Sequence, residues 1–436
     1  MARHVASCLS SAVFSNTCLG SIFYFGYLFA QFPAGYLLQR LPVGKFLSLA
    51  TIGWGIVLIT TPACRSFAGM ATNRFILGAL EATVNPGFVL IMSMWYTSAE
   101  QPLRLEIYYC TNGIATMFGG LIGYAVGHIN SGLPKWMYVF IIFGSISTAW
   151  GIVSLLVLPD LPSTAKFLTP RERLIAVNRV ASNRQGVKNH HFSKRQAWQT
   201  VRDPKTWILF VMATGAQIPN SALTSFASII VKSFGFDVLG TQYMQIPGGA
   251  VQFLALITGG FVCTKWPNNT RCATMIFANT VCILGAGLLV GLPADNKWGR
   301  MVALWLCYFQ GLGFSMSLTM VSSNVAGYTK KQLTGAILFT GYCVGNIIGP
   351  QTFLDKEART YPLSNHPDKS MRVANIPQRD TTARISRCWS AIPSNLLWCL
   401  CYTHICIDRT SNVMQSSSQE ATRVMQRSAR ALRRGC

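Results

Sequence analysis

Apolar residues run through this chain in long blocks separated by short polar joints. Ten blocks of roughly 18–26 residues stand out: 19–38, 45–64, 70–95, 107–128 and 136–158, then, after a long polar segment, 206–226, 240–263, 272–292, 301–321 and 333–354. An α-helix needs about 20 mostly apolar residues to cross the hydrocarbon core of a bilayer. The pattern therefore predicts an all-α membrane protein with five spans on either side of a polar centre. It divides the chain into an N-terminal segment 1–18, a helical bundle 19–158, a central loop 159–205, a second bundle 206–354 and a tail 355–436.

Composition sharpens the picture. Of 436 residues half are hydrophobic and 12% are charged, about half the charged share of a soluble globular chain. The formal charge of +23 is unevenly placed: 159–205 holds ten Lys/Arg against three Asp/Glu, and the tail thirteen against six. A basic surplus beside membrane spans marks the cytoplasmic side, so no nucleic-acid partner is expected. Arg40, Lys45, Arg104, the central segment, Lys265, Arg271, Lys330 and Lys331 fall on alternate joints. The intervening joints carry Arg65, Lys135, Lys232, Lys297 and Arg300, which makes them somewhat poorer in charge.

The fourteen cysteines show no paired spacing, and Cys110, Cys282, Cys307 and Cys343 lie inside spans, where a small soft side chain packs. The tail group Cys399, Cys401, His404 and Cys406 has no common zinc spacing. No metal and no cofactor are expected. Residues 1–18 lack the continuous apolar core of a cleavable signal peptide. The sequon Asn268-Asn269-Thr270 falls on a joint expected in the cytoplasm, so it is expected to be unused.

The halves echo each other. AQFPAG (30–35) matches MQIPGG (244–249), and FGGLIG (118–123) matches VGNIIG (344–349). Parallel repeats with a substrate site between them are a transporter architecture. Gly119, Gly123 and Gly127 recur every fourth residue, as do Gly345 and Gly349, a spacing that lets helix backbones approach closely in lipid. Pro33, Pro86 and Pro247 each remove a backbone donor inside a span.

These residues together resemble the major facilitator superfamily, and within it the fungal allantoate permease branch of the anion:cation symporters. GYLLQRLPVGK (35–45) stands at the superfamily's first cytoplasmic signature, with Gly35, Gln39, Arg40 and Lys45 as gating positions. RFILGALEATVNPGF (74–88) matches the branch's fourth-helix motif through Arg74, Gly78 and Glu81, with Pro86 close behind. FLTPRERLIAVNRV (167–180), DPKTW (203–207), SSNVAGYTKK (322–331) and GYCVGNIIGPQ (341–351) resemble its central loop and last helices. The resemblance covers about three quarters of the chain. It implies a two-bundle transporter, monomeric and in the plasma membrane, with ten recognisable spans of an expected twelve. Gln39 stands nearest the position where relatives carry an aspartate. The chain starts where the family's second helix starts, and no last-helix pattern follows Gln351, although 388–407 is partly apolar. A fragmentary gene, and with it an inactive paralogue, is the alternative expectation.

From residue 69 to residue 96 the only ionised side chains are Arg74 and Glu81. Seven helical residues place them on one face about 10 Å apart. A charge at mid-membrane is expensive enough that it faces a cavity or a partner. A carboxyl in such a cavity can exchange a proton near neutral pH, and an arginine holds an organic anion in a fork of donors. The resemblance assigns anion recognition to Arg74 and proton coupling to Glu81. Asn85, Gln217, Gln245 and Asn346 are further candidate substrate contacts. Asn220 and Gln310 are weaker ones, and His128 is read as an interfacial histidine. Gly119 and Gly123 are candidate structural positions. The spans carry no metalloprotease motif and no nucleophile–base spacing, so an enzyme is not expected. The reading is a proton symporter importing a small organic anion such as a ureide, a vitamin or a vitamin precursor.

Overall fold

The computed structural model describes residues 2–351 apart from 98–99, 130–131, 182–191, 235, 237, 267–269, 294–295 and 326. The tail, with its 388–407 stretch and its cysteine group, lies outside the described residues, as does Asn268 of the sequon. The described residues form fifteen α-helices. In the first half these are α1 (Ala2–Arg40), α2 (Val43–Thr60), α3 (Phe67–Glu81), α4 (Val84–Trp95), α5 (Gln101–Gly127) and α6 (Lys135–Val157). The central segment holds α7 (Pro170–Ala181) and α8 (Lys194–Arg202). The second half comprises α9 (Pro204–Ser233), α10 (Val238–Tyr243), α11 (Ile246–Lys265), α12 (Thr270–Gly291), α13 (Lys297–Cys307), α14 (Gln310–Asn324) and α15 (Tyr328–Gln351).

Where described, the ten expected blocks are largely helical. Seven stretches are long and apolar enough to cross a membrane by length and composition: Val43–Ala63, Phe67–Trp95, Lys135–Val157, Gly240–Lys265, Thr270–Leu289, Lys297–Ser322 and Thr329–Pro350. The other three blocks lie in α1, α5 and α9, helices of 39, 27 and 30 residues. These carry interior polar groups such as Gln31, Gln39, Glu106 and Gln217, which dilute their apolar content.

Three expected spans are interrupted. The first break, at Ala82–Thr83 between α3 and α4, has a local cause: Pro86 has no N–H to offer the Ala82 carbonyl four residues back. Pro247 does the same to the Tyr243 carbonyl, and α10 ends there. The third break, at Tyr308–Phe309, has no proline; tight turns close it, with Gly311 N donating to Tyr308 O at 3.2 Å. Irregular backbone at membrane depth persists only where protein or a wet cavity satisfies it. Pro33, by contrast, sits inside an uninterrupted α1. The matched AQFPAG and MQIPGG segments therefore differ locally.

Within the halves α1 packs on α3, α2 on α6, and α9 on α15; between them α5 packs along α11 and α1 against α15. The α5–α11 seam is tight enough that a Cβ on Gly113 would meet Gly249 O at 2.6 Å, and one on Gly120 would meet Gln242 O at 2.6 Å. Only glycine, lacking a side chain, permits that approach. Here the glycine register corrects the expectation. A Cβ on Gly119 would meet nothing within 4 Å, and one on Gly123 would reach only the Gln242 side chain at 3.1 Å. One residue turns a helix by about 100°, so the packed row runs through Gly113 and Gly120. Gly345 and Gly349 do pack closely, against Thr214 O and Ser221 Oγ. Gly78 lets α3 lie on α1, where a Cβ would run into the Phe23 carbonyl.

The alternate joints gather at one end of the bundle, the basic end. Lys45 N donates to Asp160 Oδ1 at 3.1 Å, Lys330 pairs with Asp203 at 2.6 Å, and Ser193 N donates to Thr329 Oγ1 at 3.2 Å. α7 opens on a capping box, with Thr169 N donating to Glu172 Oε2 at 2.8 Å and Glu172 N to Thr169 Oγ1 at 3.4 Å. Those bonds hold the Glu172 carboxyl below the usual carboxylate range. Glu100 bonds Thr97 N and pairs with Arg179. Slight burial works against its charge, but these contacts prevail and its pKa is lowered.

Candidate functional site

A cavity of about 570 Å³ lies between the halves. The first half contributes Tyr24, Glu81, Asn85, Tyr108, Tyr109 and Asn112; the second contributes Gln217, Asn220, Gln252, Tyr308, Gln310 and Tyr342, among others. Two of the helix breaks lie along this wall. Glu81 is the last residue of α3 and Gln310 the first of α14, so the breaks at Ala82–Thr83 and Tyr308–Phe309 each deliver a polar side chain to the centre.

Asn85 is fixed by three phenols. Tyr108 and Tyr109 donate to its Oδ1 at 3.0 and 3.5 Å, and its Nδ2 donates to the Tyr27 hydroxyl at 3.4 Å. Opposite, Gln217 Oε1 accepts from Asn220 Nδ2 at 2.8 Å and from Asn346 Nδ2 at 3.2 Å. The Gln310 amide donates to Ala216 O. Ring contacts between Tyr24 and Tyr342 and between Phe314 and Tyr342 close the apolar part of the wall. Among the lining residues Glu81 is the one carboxyl, and none is Lys, Arg or His. The site is thus an amide- and phenol-rich chamber with a single carboxyl.

Glu81 also lines a second cavity of about 260 Å³ inside the first half, with Ser48, Thr51, Trp54, Trp150 and Ser154. The buried Trp54 indole nitrogen interacts there with the Glu81 carboxyl. Glu81 and Val84 therefore lie between the two spaces.

Several sequence-derived candidates are placed elsewhere. Arg74 does not share the Glu81 chamber. It lies in a recess of about 380 Å³ with Leu19, Gly20, Met70, Trp136 and Phe140, its guanidinium 5.6 Å from the Phe140 ring centroid. Two turns along α3 exchange the chamber for the α6 flank. Gln245 caps α11 and is not among the lining residues. Asn346 is buried behind the wall, bonded to Gln217 and to Tyr342 O. His128 caps α5, with Nδ1 3.0 Å from Tyr124 O. Arg40 stacks on Tyr36 at 4.8 Å, and Pro86 lines a narrow crevice toward the basic end beside Lys331 and Gln332.

At that end the halves are joined by polar links. The Gln39 amide donates to Gln332, whose own amide donates to Gly35 O. Gln39 is buried, so a neutral amide pair links the two halves there. Reading the sequence missed Tyr24, Tyr108, Tyr109, Asn112, Gln252 and Tyr342. The signal that found Asn85, a polar group inside an apolar block, was present for Asn112 and Gln252. The tyrosines gave no such signal, because phenols are ordinary in apolar helices.

A sequence profile of the Major Facilitator Superfamily matches residues 7–350. The chain belongs to the major facilitator superfamily. Relatives within the superfamily include an uncharacterized transporter of Schizosaccharomyces pombe, 35% identical over 341 residues, covering 78% of this chain and 65% of the relative. The allantoate permease of Saccharomyces cerevisiae is 32% identical over 353 residues, covering 78% and 65% respectively. The thiamine pathway transporter of the same yeast is 31% identical over 350 residues, covering 80% and 66%. The chain thus spans about two thirds of the length of these curated relatives. With its apolar helices, it is an integral, multi-pass membrane protein.

Proposed function

We propose that the chain is a proton-coupled carrier for a small organic anion, working by alternating exposure of the central chamber between the two halves. The supporting observation is the chamber itself, built by both halves and carrying one carboxyl among amides and phenols. An anion beside an ionised Glu81 meets like-charge repulsion in a low-dielectric site. Protonating Glu81 removes that repulsion and leaves Asn85, Gln217, Asn220 and the tyrosine hydroxyls to bind the solute. Proton uptake is then a condition of anion binding, and the two cross together. Amide and phenol donors suit a solute rich in carbonyl and N–H groups, such as a ureide; one relative is named for allantoate. Asn346 positions Gln217, and the Gln39–Gln332 pair closes the basic end, which is taken as cytoplasmic. Arg74, outside the chamber, acts on the anion's approach through its field. The plasma membrane is the proposed location.

Tracer uptake into cells expressing the chain, with and without an imposed proton gradient, tests this reading. Labelled allantoate is expected to accumulate only with the gradient, and Glu81→Gln to remove the gradient dependence. Accumulation of Glu81→Gln with the parent's pH profile overturns the coupling role.

One alternative has its own support. The lining holds no cation, and another relative is named for the thiamine pathway. A cationic solute would bind ionised Glu81 directly, and its uptake would rise as protons are withdrawn. No uptake of either probe favours an inactive paralogue.

A further inference from the structure

A second carboxyl, outside the central chamber, lies where the halves meet. Glu106 of α5 is fully buried, and Ser315 Oγ of α14 donates to its Oε2 at 2.6 Å across the seam. Its other oxygen, Oε1, is buried with no partner. On the third side α11 presses against it: a Cβ on Gly260 would lie 2.9 Å from the Glu106 Cβ. The ionisable groups facing it are Tyr109 and Cys110 on its own helix and Cys263 on α11. Arg271 of α12 lies beyond, against Cys263. α14 has no ionisable residue. No ion pair reaches Glu106 among the described residues.

A buried ion with one hydrogen bond and no countercharge is far costlier than a buried neutral acid with one idle oxygen. The closed seam therefore accommodates the protonated form. Parting α5 from α14 breaks the Ser315 bond and admits water, which solvates the carboxylate. We propose that Glu106 is a second proton-binding site on the seam, whose protonation holds the basic end closed and whose ionisation accompanies its opening. Only the O–H bond is broken, and the proton passes to the water on the basic side. Because binding and conformation are linked reciprocally, a higher pH on that side favours opening.

The inference does not rest on transport, so its test reads the gate alone. Ser93 lines the crevice beside the seam. In purified chain reconstituted in lipid discs, Ser93→Cys is labelled with a water-soluble maleimide, and modification at that residue alone is read by peptide mass spectrometry, apart from the native cysteines. Its rate is divided by that of Asn178→Cys on exposed α7, which corrects for thiolate reactivity. With Glu106 present the ratio is expected to rise about fivefold or more between about pH 5.5 and pH 8. With Glu106→Gln, which keeps the Ser315 contact but cannot ionise, the ratio is expected to stay low and flat. Glu106→Asp restores the dependence, which shows that titration rather than packing carries it. A pH-independent ratio in the parent, or a parent-like profile in Glu106→Gln, overturns the inference.

Discussion

Glu81 and Glu106 belong to the same half of the molecule but live in different surroundings. Glu81 ends a broken helix and faces open volume on two sides. Glu106 sits in an unbroken helix, fully enclosed, with one hydrogen bond from the other half. The chamber keeps irregular backbone and loosely satisfied polar groups, as a site that must accept a solute and release it requires. The seam keeps close packing and short polar links, as a surface that must close tightly requires. What separates them is local: a proline one turn past Glu81, and a glycine facing Glu106.

The largest effect is expected where the seam is tightest. Gly113→Ala puts a methyl 2.6 Å from the Gly249 carbonyl, and overpacking of this kind costs about 1–3 kcal/mol. A thermal shift in detergent should show a clear loss of stability, while Gly119→Ala, with nothing nearby, should change little. Equal effects at the two glycines would remove the register argument.

Next comes the chamber carboxyl. Glu81→Gln is expected to lower gradient-driven uptake about 10–100-fold, the range of ordinary coupling energies, while solute exchange at fixed pH persists.

A smaller effect is expected behind the wall. Asn346→Ala removes one of the two donors to Gln217 Oε1 and leaves the Asn220 amide, a change of about 0.5–1.5 kcal/mol. It should weaken solute binding while leaving the proton dependence intact, and a calorimetric titration separates the two.

The smallest effect belongs to the Glu100–Arg179 pair at the exposed basic end. Arg179→Ala should change stability by less than about 1 kcal/mol. Because the folded Glu100 pKa is depressed, the stability it lends is present above its unfolded pKa and is lost as pH falls through the folded value. Adding salt should erase the difference between parent and variant.

Much of this architecture was legible in the sequence. Block length announced the membrane helices, and Pro86 and Pro247 marked two of the three breaks. The break at Tyr308–Phe309 left no such mark, since turns rather than a proline make it. Glu81 and Asn85 were found because charge and amide stand out in apolar surroundings. Arg74 was misplaced because a shared helix face does not ensure a shared neighbour: two turns along, α6 replaces the chamber. Glu106 escaped notice through a boundary of one residue. A span starting at 107 leaves that carboxyl in a polar joint, whereas α5 begins at Gln101 and carries it into the seam. The Gly119 assignment failed for a related reason, since spacing alone does not fix rotation about the helix axis.

The position of Glu81 between two cavities has an electrical consequence. Where water fills both and they open to opposite sides of the bilayer, much of the voltage falls over the layer that Glu81 and Val84 form. A unit charge crossing the full drop gains about 2.3 kcal/mol per 100 mV, so a proton arriving at Glu81 from one side and leaving to the other works against a focused field. Clamping the membrane potential should then shift the pH midpoint of uptake, making the carrier a reader of voltage as well as of acidity.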